Sequence, residues 1–263
     1  MPQSIQVINR LKNLVQHTLK NNIANNQKHL AVLIDPDSIE NESQLINICE
    51  RSNEAYIDFI LVGGSLITNG FFDKCIQIIK QHTKIPVVLF PGNIMQVSKD
   101  ADAILLLSLI SGRNPDLLIG KHVLAAPMLK QSGLEIIPTG YMLIDGGNIT
   151  SVSYMSNTTP IPAEKHSIAA CTAMAGEMLG LQVTYMDAGS GAQHPISTKI
   201  ISAVRESVNG PIFIGGGIKT PEGAIAACNA GADVVVVGNA FEKEPELINQ
   251  IAKAVHGLNK VQA

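Results

Sequence analysis

The sequence has no tryptophan, and its aromatic content is only 4%, so any large apolar surface it builds must be aliphatic. Its four cysteines, Cys49, Cys75, Cys171 and Cys228, stand far apart, with no Cys-x-x-Cys pair and no histidines at zinc spacing. That pattern excludes a disulfide framework and a structural zinc. The four read as reduced, buried, small apolar side chains of a cytoplasmic protein. No run approaches the ~18 consecutive apolar residues of a membrane span. The segment Met1–Lys20 is polar with helical spacing of Ile5, Ile8, Leu11, Leu14 and Val15, unlike a secretory signal. Basic residues are not in excess: 19 Lys and Arg against 22 Asp and Glu give a net charge of −3. Nucleic acid is therefore not an expected partner, since binding it needs dense positive charge to displace counterions. No Pro/Gly/Ser-rich linker or shift in composition divides the chain.

What is present is a regular alternation. With 46% hydrophobic and 16% charged residues over 263 positions, the chain can bury a substantial core. Nearly continuous β-branched runs occur at 31–35, 59–63, 86–90, 103–109, 135–144, 181–186, 211–214 and 233–237, as parallel strands covered on both faces require. Amphipathic segments at helical spacing separate most of them, at 42–55, 71–82, 116–131, 163–179, 197–208, 221–230 and 246–256. The pattern predicts an α/β fold, a TIM (β/α)8 barrel forming one domain over 1–263, with 1–29 as an N-terminal helix and lead-in. The connection between the third and fourth strands, 92–102, is too short for a full helix, so the barrel is expected to be modified, its third helix reduced or missing. An open doubly wound sheet is the competing fold, but no Gly-x-Gly-x-x-Gly follows the first strand.

Three glycine-bearing strand ends fall in the last third: Tyr185-Met186-Asp187-Ala188-Gly189-Ser190-Gly191-Ala192, Gly215-Gly216-Gly217-Ile218 and Gly238-Asn239-Ala240. In a barrel the ends of strands six, seven and eight are neighbours on one rim. Glycine lets backbone N–H groups approach a phosphate without a Cβ in the way, making a nest that needs no Lys or Arg. Opposite this rim, strand one ends in Asp35-Pro36-Asp37 and strand two in Gly63-Gly64-Ser65. A carboxylate beside a hydroxyl suits Mg²⁺, which keeps water and substrate phosphate oxygens in its other positions. Asp37 reads instead as a turn or helix-cap residue. His194, beside the Gly189–Gly191 loop, is a candidate ligand contact, whereas His17, His29, His82 and His256 read as solvated. The apolar half of 138–144 could line a hydrophobic trench. A sugar-phosphate isomerase or lyase shares the late glycine rim but needs paired acid/base residues or a Schiff-base lysine at the strand ends, which are missing here. A non-catalytic phosphate-binding barrel is a third reading.

These segments, in this order and spanning 31 to about 241, resemble the geranylgeranylglyceryl phosphate synthases and their heptaprenylglyceryl phosphate relatives. The Tyr-x-acid-Ala-Gly-Ser-Gly-Ala string together with the early Asp-Pro-Asp is the specific part. The resemblance implies a prenyltransferase that moves a geranylgeranyl group from its diphosphate to the C3 hydroxyl of sn-glycerol 1-phosphate, an ether-lipid step. A different prenyl chain length is the alternative. Carried over by motif position, Asp35 and Ser65 would hold Mg²⁺. Tyr185, Met186, Asp187, Ala188, Gly189, Ser190, Gly191, Gly216, Gly217, Gly238 and Asn239 would hold the glycerol phosphate. Asp187, with Tyr185, would be catalytic, the acid taking the hydroxyl proton. The sequence is most similar to the group II branch, which implies a homo-oligomer, dimer or hexamer, and its greasy substrate implies transient contact with a membrane surface. Two positions depart from the family pattern: Asp187 stands where Glu is common, and Ser38 where Lys often stands.

Overall fold

The computed structural model describes residues 14–238, 241, 244 and 246–260. Eight parallel strands close into a barrel in chain order, β1 paired with β8. They are β1 (His29–Ile34), β2 (Phe59–Val62), β3 (Val87–Leu89), β4 (Ala103–Leu109), β5 (Glu135–Leu143), β6 (Val183–Asp187), β7 (Ile212–Gly215) and β8 (Val234–Val237). Every predicted run holds a strand, because each strand is buried on both faces. Ala31, Leu61, Val88, Leu105, Ile137, Val183, Phe213 and Val236 fill the barrel. The alternate residues, such as Val32, Ile60, Ile104, Met186 and Val235, pack outward against the helices.

The helices are α1 (Leu14–Ala24), α2 (Glu42–Glu54), α3 (Phe72–His82), α4 (Lys121–Ser132), α5 (Ser151–Ser156), α6 (His166–Met178), α7 (Thr198–Arg205), α8 (Pro221–Ala230) and α9 (Glu246–Lys260). Side-chain caps fix several starts: Asn41 accepts from Gln44 N before α2, and Thr220 from Gly223 N before α8, with Pro221 in the first turn. The segment 90–102 between β3 and β4 holds no helix, as its length predicts. Two features escape the periodicity. A π turn, Asp116–Gly120, precedes α4 where one helix over 116–131 is expected, and the six-residue α5 is too short to show a pattern. Among the described residues no helix is long and apolar enough to cross a membrane.

The bottom of the barrel is closed by α1. Val15 and Leu19 join the interior cluster, while the N–H groups of Val15 and Gln16 donate to the Glu135 carboxylate at 3.0 and 2.8 Å. The residues preceding α1 that share its helical spacing lie outside the described ones. Nearby, two histidines expected in solvent are instead held in place. His29 is buried, its ring edge-on to Phe59. Its Nδ1 and His256 Nε2 each lie 2.9 Å from one oxygen of Asp58, which also accepts from Leu30 N. Three of the four cysteines are buried as expected; Cys171 is exposed on the outer side of α6.

Burial pushes the Asp58 carboxyl up, but the bonds from His256, His29 and Leu30 outweigh it and hold its pKa at about 2, against an ordinary 3.8. A depressed carboxylate stabilises the fold at pH values above 3.8, and that stability is lost as the pH falls through about 2. Asp58→Asn should lower stability by about 2 kcal/mol at neutral pH, read as a lower urea midpoint. It should also flatten the acid limb of the stability curve; an unchanged limb would contradict this.

Candidate active site

The C-terminal ends of the strands enclose a cavity of about 1210 Å³ with two unlike ends. Its floor is a layer of rings set by strand register. Tyr141, Tyr185 and Phe213 are partners across β5, β6 and β7, and Phe90 from the end of β3 stacks on Tyr185 at 4.8 Å. Four of the chain's ten phenylalanines and tyrosines meet in this layer, sealing the filled barrel from the open mouth. Tyr185 lines the cavity and its hydroxyl has no partner among the described residues.

One layer above, Asp187 ends β6. Its Oδ2 accepts the Tyr141 hydroxyl at 2.6 Å and its Oδ1 accepts Gly189 N at 2.7 Å. Burial holds this carboxyl above its ordinary value, against the lowering effect of those two donors. Around it the loops after β6 and β7 touch. Gly216 has φ +81°, and a Cβ there would sit 2.7 Å from Gly189 N and 2.9 Å from Asp187 Oδ1. Only glycine allows both the backbone conformation and the approach. Among the described residues the N–H groups of Gly191, Gly216 and Gly217 have no hydrogen-bond partner. With Ser190 and Gly238 these glycines line the cavity, an arrangement of backbone N–H groups that can form an anion nest.

Of the other residues expected there, Met186 faces the layer between strands and helices, because alternate strand residues point to opposite faces. Ala188 spends its N–H on Gly215 O and does not line the cavity. Asn239 lies outside the described residues. His194 is exposed and holds Gly146 O through its backbone, away from the lining.

Across the mouth, Asp35 and Ser65 both line the cavity. The Asp35 carboxyl presses on the second loop so closely that a Cβ on Gly64 would lie 2.7 Å from its Oδ2. Burial, with the Asp37 charge adding to it, keeps this carboxyl above its ordinary value against the donated Asp37 N–H. Asp35 itself caps the short turn Pro36–Ser38. Asp37 is not a helix cap; it accepts from Thr68 N and Oγ1 at 2.8 Å, tying the first loop to the second. Gln96, which the sequence reading missed, is buried in the helix-free crossover. Its Nε2 donates to Gly64 O at 2.8 Å and its Oε1 accepts from Gly92 N at 3.0 Å, so it sets the loop that carries Ser65. Nothing in its spacing marks it. Lys219, exposed at the rim after β7, also lines the cavity and was likewise missed.

The second end is aliphatic. From Leu107 and Leu109, facing inward, the lining passes to Ile104 and Leu106 on the outer face of β4, then to Ile94, Val97, Ala125 and Leu129. The trench thus occupies the place of the missing third helix. It is not built from 138–144, of which only Tyr141 reaches the cavity; Met142 and Ile144 are buried against the helices.

A model of the PcrB family matches residues 21–255. The chain belongs to the PcrB family. It is 57% identical to the geranylgeranylglyceryl phosphate synthase of Chitinophaga pinensis over 229 residues, covering 87% of this chain and 90% of that one. It is 53% identical to the synthase of Spirosoma linguale over 234 residues, 89% and 94% of the two chains. The crystal structure of (S)-3-O-geranylgeranylglyceryl phosphate synthase from Thermoplasma acidophilum with sn-glycerol 1-phosphate superposes with a TM-score of 0.87 at 31% identity, covering 92% of this chain and 98% of that one.

In this PcrB-family chain the donor set at Asp35 and Ser65 fits Mg²⁺. It offers one carboxylate and one hydroxyl on neighbouring strand ends, open to a cavity with room for water and phosphate oxygens. The described residues contain no cluster of three or more His, Cys, Asp or Glu that would cage a metal without substrate.

Gly216→Ala should leave the far-ultraviolet circular dichroism unchanged but weaken inorganic phosphate binding about tenfold or more by calorimetry, because the loops after β6 and β7 must separate. Unaltered affinity would show that the nest does not hold the anion.

Proposed function

We propose that this chain is a geranylgeranylglyceryl phosphate synthase that joins geranylgeranyl diphosphate to the C3 hydroxyl of sn-glycerol 1-phosphate. The observation that carries the reading is a single cavity linking a glycine-lined anion nest to an aliphatic trench, with Asp187 near one end and Asp35 across the mouth. The names of its relatives point to the same pair of substrates.

In this reading the unpaired N–H groups of Gly191, Gly216 and Gly217, the Tyr185 hydroxyl and Lys219 hold the glycerol phosphate. Asp35 and Ser65 would hold Mg²⁺, which when bound supplies Lewis-acid neutralisation of the diphosphate leaving group. Asp187 accepts the proton of the attacking hydroxyl while the allylic C–O bond breaks and the ether bond forms. A carboxyl raised by burial is a stronger base than one in water, and such help is worth ~10²–10⁴-fold. The prenyl tail lies in the trench between β4 and α4, where each buried methylene contributes ~0.8 kcal/mol. A homo-oligomer would cover Ile119, Val123, Leu124 and Met128, which α4 and its leading turn expose. Leu66, Ile149, Tyr154 and Met155, exposed at the cavity rim, are the side chains a transient membrane contact would use.

The test is incubation with labelled sn-glycerol 1-phosphate, Mg²⁺ and prenyl diphosphates of several lengths. An organic-soluble phosphorylated ether, formed fastest from the geranylgeranyl donor, is expected; faster transfer of a heptaprenyl group would assign the chain-length alternative. Asp35→Asn and Asp187→Ala should each lower turnover by on the order of 10²-fold. The second should keep glycerol phosphate binding. Full turnover in either variant removes that residue from its assigned role.

A further inference from the structure

The Asp187 carboxylate stands in an unusual setting for a base. It is buried, and both its oxygens already accept a hydrogen bond. Gly189 N is a local donor, two residues along the same chain. The Tyr141 hydroxyl is not local: it comes from β5, across the strand register, and reaches up one layer from the aromatic floor. Tyr141 is itself wedged, edge-on to Phe90 at 5.7 Å and tilted on Tyr185 at 5.6 Å, so its hydroxyl position is fixed by packing.

We propose that Tyr141 is a positioning residue for the transfer reaction: its hydroxyl orients the Asp187 carboxylate and keeps it charged, so that the acid can take the proton of the glycerol hydroxyl. This inference rests on the reading of Asp187 as the base. A fixed donor favours the ionised carboxylate and opposes the burial that would protonate it. Tyr141 stays protonated throughout, because burial, with the Asp187 charge adding to it, pushes its phenol well above its ordinary value. The proton taken from substrate therefore ends on Asp187, and the tyrosine only holds. The other titratable side chains lining the same cavity are Tyr185 on its own strand, which feels the Asp187 charge, and, elsewhere among the described residues, Asp35, Lys121, His122, Tyr154, Lys219 and Glu244. Beside it β7 ends in Gly215, and Gly216 follows in the loop.

The experiment is the pH–rate profile of Tyr141→Phe, with a direct titration of Asp187 by carbon-13 aspartate NMR that needs no turnover. Removing the donor should move the acid limb, and the NMR titration, up by about one pH unit. The rate constant should fall at least about tenfold while KM for sn-glycerol 1-phosphate changes less than about twofold. Incorporating 3-fluorotyrosine at 141, a near-isosteric change that strengthens the donor, should move both titrations the other way; this variant keeps the test open if the phenylalanine variant folds poorly. Phe90→Leu disturbs the ring packing without removing the donor and should leave the acid limb in place. Unmoved limbs in both Tyr141 variants, with wild-type turnover intact, would overturn the inference and leave the proposed function standing. A wild-type chain that makes no ether from any prenyl diphosphate would overturn the function and this inference with it.

Discussion

A strand in a parallel barrel needs apolar cover on both faces, and on β4 that cover thins at Leu106 and Leu107, which are only half-buried. Inside, Leu105 packs with the barrel core; outside, Ile104 is buried, but Leu106 is only half-covered and looks onto a trench where the crossover from β3 should have placed a helix. The chain there runs through 90–102 without helical structure, pinned by Gln96 rather than by a packed helix face. Leaving apolar surface uncovered costs roughly 25 cal/mol per Å². Hydrocarbon of suitable width recovers that cost when it lies in the trench. The missing helix is thus what turns a stable scaffold into one that gains from binding a long aliphatic chain.

The opposite demand, for a polar and rigid reaction centre, is met a few ångströms away by the ring layer of Phe90, Tyr141, Tyr185 and Phe213. A closed barrel of this size is a packed core and not a pore, and this layer is where packing ends and chemistry begins. Strand register decides which side chains reach the mouth. Asp187 pairs with Gly215 and Leu143, so the acid rises beside a strand end that offers no side chain of its own. With no Cβ at Gly215, the Tyr185 hydroxyl fits there; a Cβ would lie 2.6 Å from it.

Most of the scaffold was legible in the residues, because the signal for a two-sided buried strand is its continuous apolar run, and all eight runs carried it. The missing helix was legible as a simple shortage of chain. The clustering of the glycine turns, and the facing of Asp35 and Ser65 across them, followed from barrel geometry once the strands were in place. What stayed hidden depends on contacts between segments distant in sequence. Gln96 is one polar residue among many until it is seen bridging Gly64 and Gly92. His29 and His256 read as solvated because Asp58, which holds both, is far from either in the chain. The trench was sought on β5, whose residues are apolar for a different reason: both faces of that strand are already covered. Met186 was counted with its neighbours in a glycine-rich motif, although the two-residue period of a strand turns it away from them.

The composition of the anion end then has a physical reason. Under the proposed function, the site must hold a phosphate close to a carboxylate that works as a base. A lysine or arginine packed against both would bind the phosphate, but it would also lower the carboxyl's affinity for a proton, and so its basicity. Backbone N–H groups avoid the conflict. Their dipoles act over one hydrogen bond and carry no net charge, so Gly191, Gly216 and Gly217 can face an anion while Asp187 is tuned separately by Tyr141 and Gly189. Lys219, the one cation on that side of the lining among the described residues, sits exposed at the rim after β7, where solvent screens its effect on the buried acid. Glycine at these positions is therefore a requirement of the chemistry as well as of the turn: it supplies positive potential without supplying a competing charge.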